Sequence, residues 1–349
     1  MHVLSEPDVS RVFRSLTQSQ CHDFVNELGK ALVSISAESK PSVPATDKLI
    51  HQPLRTVFAT KADNTCIFMP VSNTETTGIK CVTVAPGGIQ GVINLFSPDG
   101  RLQGLLAAAE ITAFRTALAS MTLFVRSAAI KKENILIFGS GRQAEWHARL
   151  ALLLYPEQIR RITFVNRGRT RLEQMKDVFS DLCKNYPHLT ITPIAKEDTE
   201  GYEEVLLHEL QVCDVIFSCT PSLQPNFSYS ALRSAPKQRF ISLIGSYKPP
   251  MHEIDTETLL SGGGKIYVDS KTACLEESGE LITAQVKEDQ LTEMGDLLAS
   301  LGPNDPIGVP AGANVIYKCV GMGLMDLVVG KKVLDLGASQ GLGTHVDGF

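Results

Sequence analysis

Apolar residues in the first 128 positions fall into short runs with strand-like spacing, at 56–59, 65–70, 78–84 and 91–96. Turn signals such as Ala62-Asp63-Asn64 and Ser97-Pro98-Asp99-Gly100 separate them. Two stretches with helical spacing flank these runs, one near 9–36 and one from 108 to about 129. From 134 to about 270 the rhythm changes to strand, helix, strand, helix. Its strands are predicted at 134–138, 162–165, 190–194, 213–219, 239–244 and 265–269. That alternation predicts an α/β fold with a parallel sheet covered by helices on both faces. Residues 314–330 are apolar with helical spacing through Val315, Val320, Leu324, Leu327 and Val328. This segment is expected to pack back on the first domain and make it discontinuous. The domain ranges are therefore 1–128 with 311–349, and 129–310. Closely spaced glycines at 337, 341 and 343 leave the order of the tail after position 330 open, since glycine-rich chain ends are more often mobile.

The start of the alternating region carries the first chemical signal. The apolar run Ile135 to Phe138 stops at Gly139-Ser140-Gly141, and a helical stretch begins near Gln143 and runs to about Leu154. Strand, glycine turn and helix in that order form the phosphate-gripping corner of a dinucleotide fold. Gly139 permits the tight turn, Gly141 lets backbone approach a pyrophosphate, and the helix start at Arg142 and Gln143 favours an anion. The usual third glycine is Ala144, so a plain strand-to-helix turn stays an alternative at this point.

The next β-type run, 162–165, ends in Asn166-Arg167-Gly168-Arg169-Thr170-Arg171. An NAD-selective site places a carboxylate at this tip to accept from the ribose 2′-hydroxyl. Here Asn166 and Arg167 take that place. A guanidinium pairs with a 2′-phosphate, so NADP(H) is favoured over NAD(H). The alternative is a solvated arginine cluster.

Composition narrows the partners. The 349 residues suffice for two domains; 43% are hydrophobic and 20% charged, as in a soluble globular protein. A net charge of −5 without a basic block argues against nucleic acid or an anionic membrane as partner. Glu110, Arg115 and Arg126 interrupt the most apolar stretches. The N-terminus lacks a signal-peptide pattern, so a cytoplasmic location is expected. Eight cysteines without a C-x-x-C pair read as reduced thiols, and the eight histidines show no ligand spacing, so no metal is expected. Ser261-Gly-Gly-Gly264 reads as a turn between a helix and a strand.

Several blocks together resemble the ornithine cyclodeaminase/μ-crystallin family. In the first half these are Arg55, Gly78-Ile79-Lys80 and Glu110 through Arg115-Thr-Ala-Leu-Ala-Ser120. In the second half they are Ile244-Gly245-Ser246, Tyr267-Val-Asp-Ser270, Leu275-Glu-Glu-Ser-Gly-Glu280, and Tyr317-Lys-Cys-Val-Gly321 through Asp326. The resemblance covers about 50 to 330. It implies a Rossmann-type doubly wound parallel sheet plus a discontinuous α/β substrate-binding and dimerisation domain, and a homodimer. Family activities range over cyclodeamination of ornithine, reduction of cyclic ketimines, amino-acid dehydrogenation and NADPH binding with little turnover.

By the same resemblance, Arg55, Lys80 and Arg115 correspond to positions that hold the substrate carboxylate. Lys80 is also placed to assist proton transfer, and Arg115 to touch the cofactor. Thr220, Ile244 and Gly245 correspond to the nicotinamide edge. Paired guanidinium donors suit one planar carboxylate, and a lysine in a cationic, partly dry pocket has a lowered pKa. Each cation has a plain alternative: Arg55 as a surface residue, Lys80 as a snorkelling strand lysine, Arg115 as a partner of Glu110.

One departure separates subfamilies. Where cyclodeaminases carry an aspartate two residues after the glycine, this chain has Tyr247. A phenol ionising at about 10 is a poor base but can donate a proton to nitrogen. Together with the Asn166-Arg167 tip, this favours an NADPH-dependent reductase of a small imino or amino acid, with Lys80 and Tyr247 as catalytic candidates. A cyclodeaminase-type ammonia-lyase and a non-catalytic NADPH-binding protein are the alternatives.

Overall fold

The computed structural model describes residues 1–302 and 304–348. Pro303 and Phe349, which fall in the expected domain ranges, lie outside the described residues. Two compact units are present: residues 1–116 with 321 to the C-terminus, and residues 117–320.

The first unit is built on a seven-stranded sheet of order β15-β1-β6-β5-β4-β3-β2. Its strands are β1 (His2–Leu4), β2 (Thr56–Ala59), β3 (Thr65–Ser72), β4 (Thr77–Ala85), β5 (Gly88–Phe96), β6 (Leu102–Ala107) and β15 (Thr344–His345). Consecutive strands from β2 to β6 pair antiparallel, and inward and outward positions alternate along β4. The helices α1 (Glu6–Arg14), α2 (Gln18–Glu38) and Gly323–Ser339 pack in this unit.

The single helical stretch expected near 9–36 is two helices. The first ends at Arg14 with Ser15 as its C-cap, and Thr17 caps the second: its hydroxyl accepts from the Gln20 amide, while the Gln20 side chain accepts from the Thr17 amide. The glycine-bearing tail runs as helix to Ser339, and Thr344–His345 then pairs antiparallel with β1. Apolar burial of Val333 and Leu334 outweighs the helix-weakening glycines.

The second unit holds an eight-stranded, wholly parallel sheet of order β13-β12-β14-β11-β10-β7-β8-β9. These strands are β7 (Asn134–Phe138), β8 (Arg161–Asn166), β9 (Thr190–Ala195), β10 (Val215–Ser218), β11 (Phe240–Leu243), β12 (Ile266–Val268), β13 (Leu291–Glu293) and β14 (Val315–Lys318). Residues along β10, β11 and β14 are buried throughout, as a sheet covered on both faces requires. Leu136, Phe138, Ile216, Ile241, Leu243 and Ile316 contribute to its core. The order turns back at β7/β10, the switch point where ligands of such sheets bind.

The segment 314–330 corrects the sequence reading in part. Val315–Lys318 is not helix but β14, between β11 and β12, and the helix begins only at Gly323. A short apolar run buried on both faces carries no period to distinguish strand from helix. The helix α3 (Ala108–Phe124) begins in the first unit and ends in the second.

Candidate active site

In the second unit, β7 delivers the chain to Gly139, whose φ is +116°. A Cβ there would lie 3.0 Å from the Cys219 carbonyl oxygen, so glycine is required on both counts. The helix α4 (Arg142–Leu154) follows, with Gly141 at its start and no side chain capping its first amides. No atom lies within 4 Å of where a Gly141 Cβ would stand. Uncapped amides, a helix N-terminus and open space above a glycine fit a pyrophosphate. Arg142 is exposed and Gln143 half-buried beside this space.

His147, one turn into α4 and absent from the sequence-based set, fixes the corner. Its Nδ1 donates to the Gln143 carbonyl at 2.8 Å, and its Nε2 accepts from Ser120 at 2.9 Å. Ser120 also bonds Ser242 on β11. Burial lowers the His147 pKa to about 4, so the ring is neutral at physiological pH. The Arg-x-x-x-x-Ser spacing that marks Ser120 was legible; its partner His147, five residues after the start of α4, was not.

At the tip of β8, the Asn166 side-chain amide donates to the Gly168 carbonyl, and Arg167 is exposed. Arg169 is engaged elsewhere, in a two-bond pair with Asp198 at 2.8 and 2.7 Å. Its backbone amide donates to Glu197, whose carboxylate lies against Gly168. The tip thus presents Arg167 as its anion-seeking group, with Glu197 nearby.

Thr220 and Ile244 stand just beyond the carboxyl ends of β10 and β11. A Cβ on Gly245 would meet the Thr220 carbonyl oxygen at 2.1 Å, so the two strand ends touch through bare backbone. Tyr247 is half-buried, with the Lys248 ammonium 5.7 Å from its ring centre.

The first unit gathers the three predicted cations. Lys80 on β4 is 3% exposed, and its Nζ lies 3.0 Å from Asp326 Oδ1. Arg115 on α3, also buried, places Nε 3.3 Å from the same oxygen. Arg55, half-buried ahead of β2, is near enough for its charge to act on Lys80. Burial lowers the Lys80 pKa to about 8; Asp326 opposes this, and Arg115 and Arg55 reinforce it. The second oxygen of Asp326, Oδ2, is buried without a hydrogen-bond partner among the described residues. Sequence comparison gave Asp326 only as the end of a family block. Its role as joint counter-ion needs the fold, because 246 residues separate it from Lys80.

Among the described residues, no cluster of three His, Cys, Asp or Glu side chains suits a metal, and no helix is long and apolar enough to cross a membrane.

An uncharacterised protein of Saccharomyces cerevisiae is 30% identical over 326 residues, spanning 82% of this chain and 86% of the relative. A Δ1-pyrroline-2-carboxylate reductase of Bacillus cereus is 26% identical over 302 residues, spanning 81% and 85%. The solved Δ1-pyrroline-2-carboxylate reductase of Thermococcus litoralis, in complex with NADH and L-proline, shares the fold with a TM-score of 0.79. That likeness covers 99% of this chain and 100% of the other at 19% identity. The family model described as "Ornithine cyclodeaminase/mu-crystallin family" matches residues 22–340. The chain therefore belongs to the ornithine cyclodeaminase/mu-crystallin family.

Proposed function

We propose that the protein is an NAD(P)H-dependent reductase of a small imine that bears a carboxylate, with NADPH the favoured cofactor. One observation carries the reading. Lys80 and Arg115 are buried and share Asp326, and Arg55 is near enough for its charge to act on Lys80. Three cations brought together suit an anionic ligand, and a planar carboxylate matches guanidinium donors. The relative named Δ1-pyrroline-2-carboxylate reductase acts, by its name, on a molecule of this class.

In this reading Arg55 and Arg115 hold the substrate carboxylate and orient the C=N bond. Lys80, protonated below about pH 8, holds the proton destined for the imine nitrogen. The Tyr247 hydroxyl is the second candidate donor. The corner Gly139–Gln143, the Asn166-Arg167 tip and the Thr220, Ile244 and Gly245 strand ends would hold the nicotinamide dinucleotide. When bound, that cofactor supplies hydride. Arg167 supports NADPH, since an exposed guanidinium can take a 2′-phosphate, while Glu197 moderates the preference.

We assign substrate binding and self-association to the discontinuous first domain. Leu54, Val57 and Phe58, respectively 88%, 51% and 48% exposed, lie on and beside the edge strand β2. An unprotected apolar edge of this kind supports a homodimer.

Tyr247 in place of the family aspartate favours a second reading, a binding protein without turnover. NADPH oxidation, followed by absorbance with five- and six-membered cyclic imino acids and with NADH in parallel, tests both. Turnover with NADPH supports the reductase. Tight NADPH binding with no turnover on any imine supports the binder.

A further inference from the structure

Glu253 lies in the second unit, six residues beyond Tyr247, and is 0% exposed. Its Oε1 accepts from the Ser218 hydroxyl at 2.6 Å and the Thr220 amide at 2.9 Å. Its Oε2 accepts from the Gly245 amide at 2.7 Å and the Ser246 amide at 3.1 Å. One carboxylate therefore grips the carboxyl ends of β10 and β11 together, one oxygen on each. Those ends already touch through Gly245 and Thr220.

A second carboxylate braces the first. Glu280 accepts from the Glu253 amide at 2.7 Å, from the Ser246 hydroxyl at 2.7 Å and from Ser278 at 3.0 Å. The buried Lys318 on β14 lies 3.8 Å from Glu280 and also bonds Ser246. Asn226 donates to the Ser218 and Thr220 hydroxyls, which fixes the β10 end from the other side.

Burying a carboxylate costs free energy that a packed apolar side chain would not. Its donors all come from the two strand ends, just where ligands of an open parallel sheet bind. We infer that Glu253 is a positioning residue, which sets the nicotinamide platform at Thr220 and Gly245 without touching the ligand. The inference rests on the second unit's binding a nicotinamide dinucleotide, as proposed above. The pyrophosphate corner at Gly139–Gln143 is built by β7 and α4, so the two halves of the cofactor site respond differently when Glu253 is altered.

Glu253→Gln keeps the shape but sets an amide NH2 against backbone amides of one strand end, donor facing donor. In the full-length protein, NADPH is titrated by nicotinamide fluorescence and 2′,5′-ADP, which has no nicotinamide, by calorimetry. NADH and ADP-ribose are run in parallel, so the result does not depend on the 2′-phosphate. The Kd for NADPH is expected to rise about tenfold or more and that for 2′,5′-ADP to stay within about twofold. The fluorescence signature of the bound nicotinamide is expected to shift as well. Equal weakening of both ligands, or of neither, overturns the inference. Should Glu253→Gln fail to fold, Ser218→Ala, which removes one donor, carries the test with an expected split of about threefold. A wild-type protein that binds none of the four ligands overturns the cofactor reading itself, a result distinct from an unsplit response.

Discussion

Replacing Lys80 by methionine separates stability from chemistry, because the lysine is buried where its charge is unwelcome. Its pKa falls from the ordinary 10.5 to about 8, burial being the largest cause. At about 1.4 kcal/mol per pH unit, that gap amounts to about 3 kcal/mol held against folding at neutral pH. Below pH 8 both folded and unfolded chains hold the proton, and the full cost is present. Between about 8 and 10.5 the unfolded chain binds more protons, so wild-type stability rises with pH; above 10.5 the cost is gone. Lys80→Met removes the titrating group while Arg115 still faces Asp326. Urea unfolding at several pH values should show a variant at least as stable as wild type at pH 7, without the rise above pH 8. Turnover of the imine should fall by about 100- to 10,000-fold if Lys80 carries the proton. A variant clearly less stable at pH 7, beside a wild type flat from pH 8 to 10.5, would refute the burial argument. Full kcat would remove Lys80 from the chemistry.

Asp326→Asn strands two buried cations and should cost about 3–5 kcal/mol in urea unfolding. A loss near zero would mean that the cations find another counter-ion. Arg167→Ala should raise the KM for NADPH about tenfold or more and leave NADH unchanged, read from initial rates with both cofactors. Gly245→Ala drives a Cβ to 2.1 Å from the Thr220 carbonyl oxygen, and dinucleotide binding by calorimetry should be lost. Gly321→Ala brings a Cβ to 2.3 Å from Arg115 Nη1; the KM for the imine should rise while the Kd for 2′,5′-ADP stays put.

The parallel sheet was legible because its strands are short continuous apolar runs between helical stretches, and the glycine corner because Gly139 and Gly141 stand where β7 ends. β14 was not, since four apolar-rich residues fit either period and only burial on both faces decides. The break at Thr17 was written in its capping box but hidden by the apolar spacing on either side. Arg55, Lys80 and Arg115 could be singled out through family order. Asp326, His147 and Glu253 act through partners that folding supplies, so no local spacing announces them. The pairing of an arginine is likewise invisible in sequence: Arg167 and Arg169 read alike, and the two-bond pair with Asp198 marks out Arg169.

The late strand β14 also constrains how the chain acquires its structure. Positions 315–318 complete the interior of the parallel sheet, and Gly323–Ser339 then packs in the other unit. During synthesis, the second unit cannot close before residues 315–318 have left the ribosome, nor the first before residues 323–339. Such long-range closure is slow, and the incomplete sheets present open strand edges to other chains in the meantime. A premature stop near position 310 would therefore cripple both units at once rather than delete one of them.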